Sequence, residues 1–213
     1  YLDPAVANYQ DNFNLRLEKS LMPTDIPQRL VLSGVWDLPF GKGKAVGRDA
    51  GRFVNAFIGG WQVNGVLTAQ SGFPLVLGVA GAPPFAGNRP SRVAGQQAAT
   101  SGGILDRLGP PSSTQRYLNN AAFVVPQSFQ FGDVPRALSD ARRQGLFNLD
   151  FSAFKNWSMG ERWSLQFRAE AFNLTNTVQF GAPGQTFNTP GFGVIGSQYN
   201  FPRQVQLGMK ILW

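Results

Sequence analysis

One side-chain pair and two glycine-rich segments are the places where residue type and spacing could support chemistry. Arg168 and Glu170 lie two residues apart, so on an extended strand they share a face, as a general acid–base pair would need. Gly191-Phe192-Gly193-Val194-Ile195-Gly196 has the spacing of a dinucleotide-binding turn, and Gly41-Lys42-Gly43-Lys44 mixes glycine and lysine as phosphate loops do. Neither glycine segment carries the rest of its motif. The dinucleotide turn follows a strand, opens a helix and is answered by an acid about 20 residues on. Here Ser197-Gln198-Tyr199-Asn200 follows and no acid lies downstream, so the segment reads as a glycine-rich loop. The lysine segment lacks the spacing and the Ser/Thr of a phosphate loop and reads as a solvated turn. Asn173-Leu174-Thr175 is a glycosylation sequon only in form, at the end of a strand. The Arg168–Glu170 pair fits an ion pair lining a wall better than a buried acid and base.

The residue inventory closes further routes. The chain has no Cys and no His, which excludes disulfides, thiolate metal sites, and the commonest general base and zinc ligand. The expectation is therefore no enzyme, no catalytic residue, no metal and no cofactor. The net charge is +7, but the cations are scattered. Lys42, Lys44, Arg48 and Arg52 fall in one connection, and Arg136, Arg142 and Arg143 in another. They form no basic stripe interleaved with aromatic residues, so a nucleic-acid partner is not expected.

What remains is a polar surface, and the elements that would hold it are strands. Six segments alternate with a period of two: 12–21, 29–40, 61–73, 147–157, 163–173 and 204–213. In the fifth, Trp163, Leu165, Phe167, Ala169 and Ala171 alternate with Ser164, Gln166, Arg168 and Glu170. Strands of soluble domains run about 5–6 residues, whereas a tilted membrane-crossing strand needs about 9–11. No run approaches the ~18 consecutive apolar residues of a transmembrane helix, so a membrane would be crossed by strands. The chain starts at Tyr1 with no signal peptide before it, as a fragment or processed product would.

The carboxyl end carries the strongest pattern. Val205, Leu207, Met209, Ile211 and Trp213 alternate with Gln204, Gln206 and Lys210. Gln206, Gly208, Ile211 and Trp213 resemble the terminal assembly signal of bacterial outer-membrane β-barrels. Threading the strands backward from a periplasmic terminus makes 158–162 a short inner turn and 74–146 and 174–203 long outer loops. All five tryptophans (Trp36, Trp61, Trp157, Trp163 and Trp213) then fall at or near one interface, as an aromatic girdle requires. Two connections fit less well: 22–27 is short for an outer loop and 41–60 long for an inner turn. The Gly- and Pro-rich stretch 74–146 reads as an irregular excursion with one short helix near 103–108.

Several blocks resemble the late region of TonB-dependent, Oar-like outer-membrane receptors. They are Asp25-Ile26-Pro27-Gln28-Arg29-Leu30-Val31-Leu32-Ser33-Gly34-Val35-Trp36, Leu38-Pro39-Phe40-Gly41, Gly60-Trp61-Gln62-Val63-Asn64-Gly65 and Ser71-Gly72-Phe73-Pro74. The run from Arg162 to Asn176 and the run Asn200-Phe201-Pro202-Arg203-Gln204-Val205-Gln206-Leu207-Gly208 complete the likeness. The resemblance implies a plugged barrel of about 22 strands, of which residues 1–213 would be the carboxyl-terminal part, without the plug domain. It implies import of a bulky solute, driven by TonB acting on the missing amino-terminal region. Outer-membrane lipid and the barrel-assembly machinery would be further partners.

The fold expected is all-β: an antiparallel transmembrane β-barrel segment of about six long strands with long outer loops, in the bacterial outer membrane. Gln62, Asn64, Thr68, Gln70, Asp150, Arg168 and Glu170 would face its lumen. The alternatives are a small outer-membrane barrel or adhesin without a transport role, whose long loop binds a surface partner, and a soluble sheet protein holding a ligand in a cup.

Overall fold

Alternating side chains leave each strand one apolar and one polar face, and pairing in register keeps those faces continuous across a sheet. The computed structural model describes residues 12–18, 28–109, 115–160 and 162–213. The expected first-strand end at Leu21, the 22–27 connection, Asp25 to Pro27 of the family-like block, Pro110-Pro111 and Glu161 of the expected turn lie outside them. Long strands form at β1 (Asn12–Glu18), β2 (Arg29–Asp37) and β3 (Trp61–Gln70). A short helix, α1 (Arg52–Ile58), precedes β3. Four two-residue strands follow or intervene: β4 (Gly78–Val79), β5 (Ser91–Arg92), β6 (Phe123–Val124) and β9 (Thr186–Phe187). The remaining long strands are β7 (Leu146–Met159), β8 (Trp163–Phe172) and β10 (Gln204–Leu212).

The six long strands pair antiparallel in the order β1-β2-β3-β7-β8-β10. The register sets Leu32 opposite Leu67, Leu67 opposite Leu149, Phe151 opposite Ala171, and Ala171 opposite Val205. These residues make one face apolar. Just past β7, Gly160 takes φ +82°, a left-handed conformation that suits glycine.

The expected barrel segment is corrected by this topology. Among the described residues the strands lie in three sheets, none of them closed. β1 pairs with β2 and β10 with β8, and the two edge strands do not meet. The physical reason is room: even eight strands enclose an interior only just wide enough for side chains. Six strands are fewer than that, and the polar face that a closed tube would have to enclose carries Gln62, Phe154, Arg168 and Glu170 in adjacent rows.

Among its described residues 74–146 is irregular apart from two-residue strands and one-turn helices, as its glycines and prolines lead one to expect, but it is packed. It folds with 174–203 into a packed unit through the parallel pair β4–β9, beside the antiparallel pair β5–β6. Leu75, Leu77, Leu118, Phe123, Val134, Leu138, Phe187 and Phe192 form its buried core. A one-turn helix spans Leu105–Arg107. Arg92 and Asp140 pair at the flank of this unit, where the Arg92 guanidinium also packs 5.4 Å from the Phe123 ring centroid.

The hydrogen bond from Arg92 holds the Asp140 carboxyl below the ordinary aspartate range. Its folded pKa is therefore lower than its unfolded one. The stabilisation is complete above the unfolded value of ~3.9 and is lost as pH falls through the folded value. Protease resistance of the loop unit should accordingly drop in acid, and Asp140→Asn should weaken that resistance at neutral pH while flattening its acid dependence. An unchanged acid profile in Asp140→Asn would remove this pair from the account.

Candidate functional site

The register places all seven expected polar residues on one face of the sheet. Asn64 stands opposite Ser152, Ser152 opposite Glu170, and Glu170 opposite Gln206. Gln62 and Arg168 occupy the next row, both opposite Phe154. Their partners decide what they can do. Gln62 donates to Asp37 at 2.8 Å, and Arg168 bonds Glu170 at 3.2 Å with its guanidinium 4.9 Å from the Phe154 ring centroid. That ion pair is partly open to water. Asp150 accepts from the Asn173 backbone N–H at 2.9 Å and so fixes the end of β8. Asn64 has a buried side-chain oxygen with no hydrogen-bond partner among the described residues. Thr68 and Gln70 lie toward the end of β3 where the loop unit sits, and of the seven only Gln70 reaches the cleft described next.

That cleft, of about 460 Å³, opens where the sheet meets the loop unit. Arg29 and Gln70 line it from the sheet, Phe73 and Arg143 from the chain crossing beneath the loops, and Phe180 and Tyr199 from 174–203. The Arg143 guanidinium lies 4.3 Å from the Phe73 ring centroid. Gln144 ties the two loops by accepting from Phe180 N–H at 2.8 Å and donating to the Val178 carbonyl at 3.3 Å. The crossing depends on Gly72, where an added Cβ would stand 1.7 Å from the Arg143 carbonyl oxygen. Two guanidinium groups, amides and aromatic rings suit a polar or anionic solute. Sequence reasoning missed the cleft, although glycines flanking Phe73 and Arg143 in Ser71-Gly72-Phe73-Pro74 and Arg142-Arg143-Gln144-Gly145 were a usable signal.

The opposite end of the sheet gathers tryptophans on the apolar face. β3 begins at Trp61, β8 begins at Trp163 and Trp157 lies near the end of β7. Trp36 stands opposite Val63, and the Trp213 ring lies 6.3 Å from that of Trp163. Of the terminal residues, Gln206 pairs with Glu170, Gly208 with Arg168 and Ile211 with Leu165, so the tail forms the outermost strand of the sheet. One further residue escaped the sequence pattern. Lys155 projects on the apolar face opposite Trp61, is 1% exposed, and bonds the Gly59 carbonyl. Its ammonium lies 5.6 Å from the Trp61 ring centroid and 5.3 Å from that of Trp157.

A family described as "Outer membrane beta barrel domain" matches residues 2–206 of the chain. No curated protein and no solved structure gives a match.

Proposed function

The chain belongs to the outer membrane beta barrel domain family, and on that premise we propose that it is the carboxyl-terminal part of a TonB-dependent receptor that imports a bulky solute. Its place is the outer membrane, and its family is not catalytic. The observation that carries the transport reading is the cleft between the loop unit and the polar sheet face, lined by Arg29, Arg143, Phe73 and Tyr199. The long connections 71–145 and 173–203 leave from that same end, the pattern of an outward-facing solute entrance. Gln62, Asn64, Thr68, Gln70, Asp150, Arg168 and Glu170 would continue from it as the polar path. Trp36, Trp61, Trp157, Trp163 and Trp213 would mark the periplasmic interface. Gln206, Gly208, Ile211 and Trp213 would be read by the assembly machinery, and TonB would act outside this chain.

Binding and uptake by the full-length protein test the reading. Arg143→Ala removes a cationic contact worth about 1.5–3 kcal/mol to an anionic solute, a loss of about tenfold or more in affinity. Uptake should fall with it while the amount of folded protein in the outer membrane stays level. Uptake indifferent to Arg143→Ala would count against this cleft as the entrance. The adhesin reading draws on Phe85 and Phe129, which are exposed, stacked 5.0 Å apart and both held at positive φ. It predicts surface attachment without solute uptake in the parent, and attachment unchanged by Arg143→Ala.

A further inference from the structure

We infer that the connection between β2 and β3 is a membrane-interface foot, in which α1 lies in the headgroup region of the inner leaflet and its basic approach binds anionic glycerophospholipid. The inference rests on the outer-membrane placement and on the proposed orientation, with the tryptophan end periplasmic.

Three observations converge on it. The first is that α1 is inside out for an aqueous helix. Phe53 and Phe57 are 79% and 65% exposed and touch edge to face at 5.3 Å, with Val54 exposed beside them. The helix turns Asn55, Ala56 and Ile58 inward instead. A helix in water buries its apolar stripe, so this one is suited to an apolar medium on its outer side.

The second is how the helix end is satisfied. The last carbonyls of a helix have no partner within it, and near lipid there is little water to supply one. Here the apolar face of the sheet supplies the donors. Trp157 donates its indole N–H to the Ala56 carbonyl at 2.7 Å, and Trp61 donates to the Phe57 carbonyl at 2.8 Å. Lys155 donates to the Gly59 carbonyl just beyond. The foot is thereby fixed to the rim of the face that carries Val63, Leu67 and Phe167, and its exposed rings extend that face.

The third is charge. Residues 38–60 carry Lys42, Lys44, Arg48 and Arg52 against one acid, Asp49. Juxtamembrane cations gain about 1 kcal/mol each from an anionic leaflet, and exposed apolar rings add burial in the acyl boundary. Apolar rings alone would fit any bilayer or a second protein; the cations select an anionic headgroup surface. The position, opposite the loop unit, selects the inner leaflet.

The chain contains no cysteine, so single labels can be placed in it. The full-length protein, free of other reactive thiols, is reconstituted in nanodiscs of phosphatidylethanolamine alone, with phosphatidylglycerol, or with lipopolysaccharide. A fluorophore carried by Phe57→Cys should be quenched by lipids bearing a nitroxide near the headgroup, and one on Ser128→Cys, in the loop unit, should not. Adding phosphatidylglycerol should shift the Phe57→Cys emission to the blue. The combined Lys42→Gln, Arg48→Gln and Arg52→Gln variant should need at least about fivefold more phosphatidylglycerol for that shift, the effect of a single juxtamembrane cation.

Phe53→Cys gives the same reading should Phe57→Cys misfold. Water-like exposure of both labels overturns the inference, as does a response unchanged by removing the cations. A response to lipopolysaccharide in place of phosphatidylglycerol overturns the inner-leaflet assignment and the inference with it. None of these readings depends on solute uptake, so failure of the transport proposal would be seen separately.

Discussion

Replacing Phe192 with alanine is expected to destabilise the loop unit by about 3–5 kcal/mol, the range for deleting a buried phenyl ring. Phe192 is 0% exposed and packs edge to face on Phe123 and Phe187 at 5.6 and 5.2 Å. Those three rings come from both long connections, so the cavity would open at their junction. The backbone around Phe192 makes the same join. Arg116 donates to its carbonyl, and Tyr117 N–H donates to the Gly193 carbonyl at 2.6 Å.

Deleting the ring should therefore release 74–146 and 174–203 together. Limited proteolysis should cut both connections in Phe192→Ala under conditions where the parent resists, while hydrogen exchange within β7 and β8 changes little. Phe192→Leu keeps most of the volume and should show a much smaller effect. Parent-like resistance of Phe192→Ala would mean that the core does not hold the loops.

The same loop unit shows where sequence reading stops. Alternation placed the long strands because it reports a local fact: neighbouring side chains meet two different environments. Whether a sheet closes is decided by its first and last strands, and no local period records that, so an open sheet was read as a barrel wall. The loop core is equally non-local. Leu75, Leu118, Phe123, Leu138 and Phe192 are scattered among glycines and prolines without a period, and only packing brings them together.

At the site, the seven polar residues were legible as one face because parity alone sets them there. Their roles were not. Asp150 is taken up by the Asn173 backbone and Gln62 by Asp37, bonds that depend on loop ends and cross-strand neighbours. The cleft was invisible for the same reason, since its arginines and rings come from segments far apart in the chain. Lys155 was hidden in a different way. It sits at an apolar position in the alternation and looks like an error in the pattern until α1 supplies a carbonyl to meet it.

That exception leads to the second large effect. Lys155→Met keeps the length and volume of the side chain but removes its charge and its donors. The Gly59 carbonyl then loses its buried donor, at about 1–3 kcal/mol. Two indole faces lose a cation in a dry setting, worth up to ~2 kcal/mol. The combined cost should be near 3 kcal/mol, and it should fall on α1 and the Gly59–Trp61 junction, far from the loop unit.

Amide exchange should accelerate through 52–60 and at the start of β3, and the thermal midpoint of the full-length protein in bilayers should fall. Proteolysis of 74–146 should remain at the parent's rate, the reverse of the Phe192 result. If Lys155→Met instead left α1 as protected as before, the two indole bonds from Trp61 and Trp157 would be sufficient to hold the helix. Such a result would make the cation dispensable to the foot, and would leave no structural reason for a lysine on the apolar face.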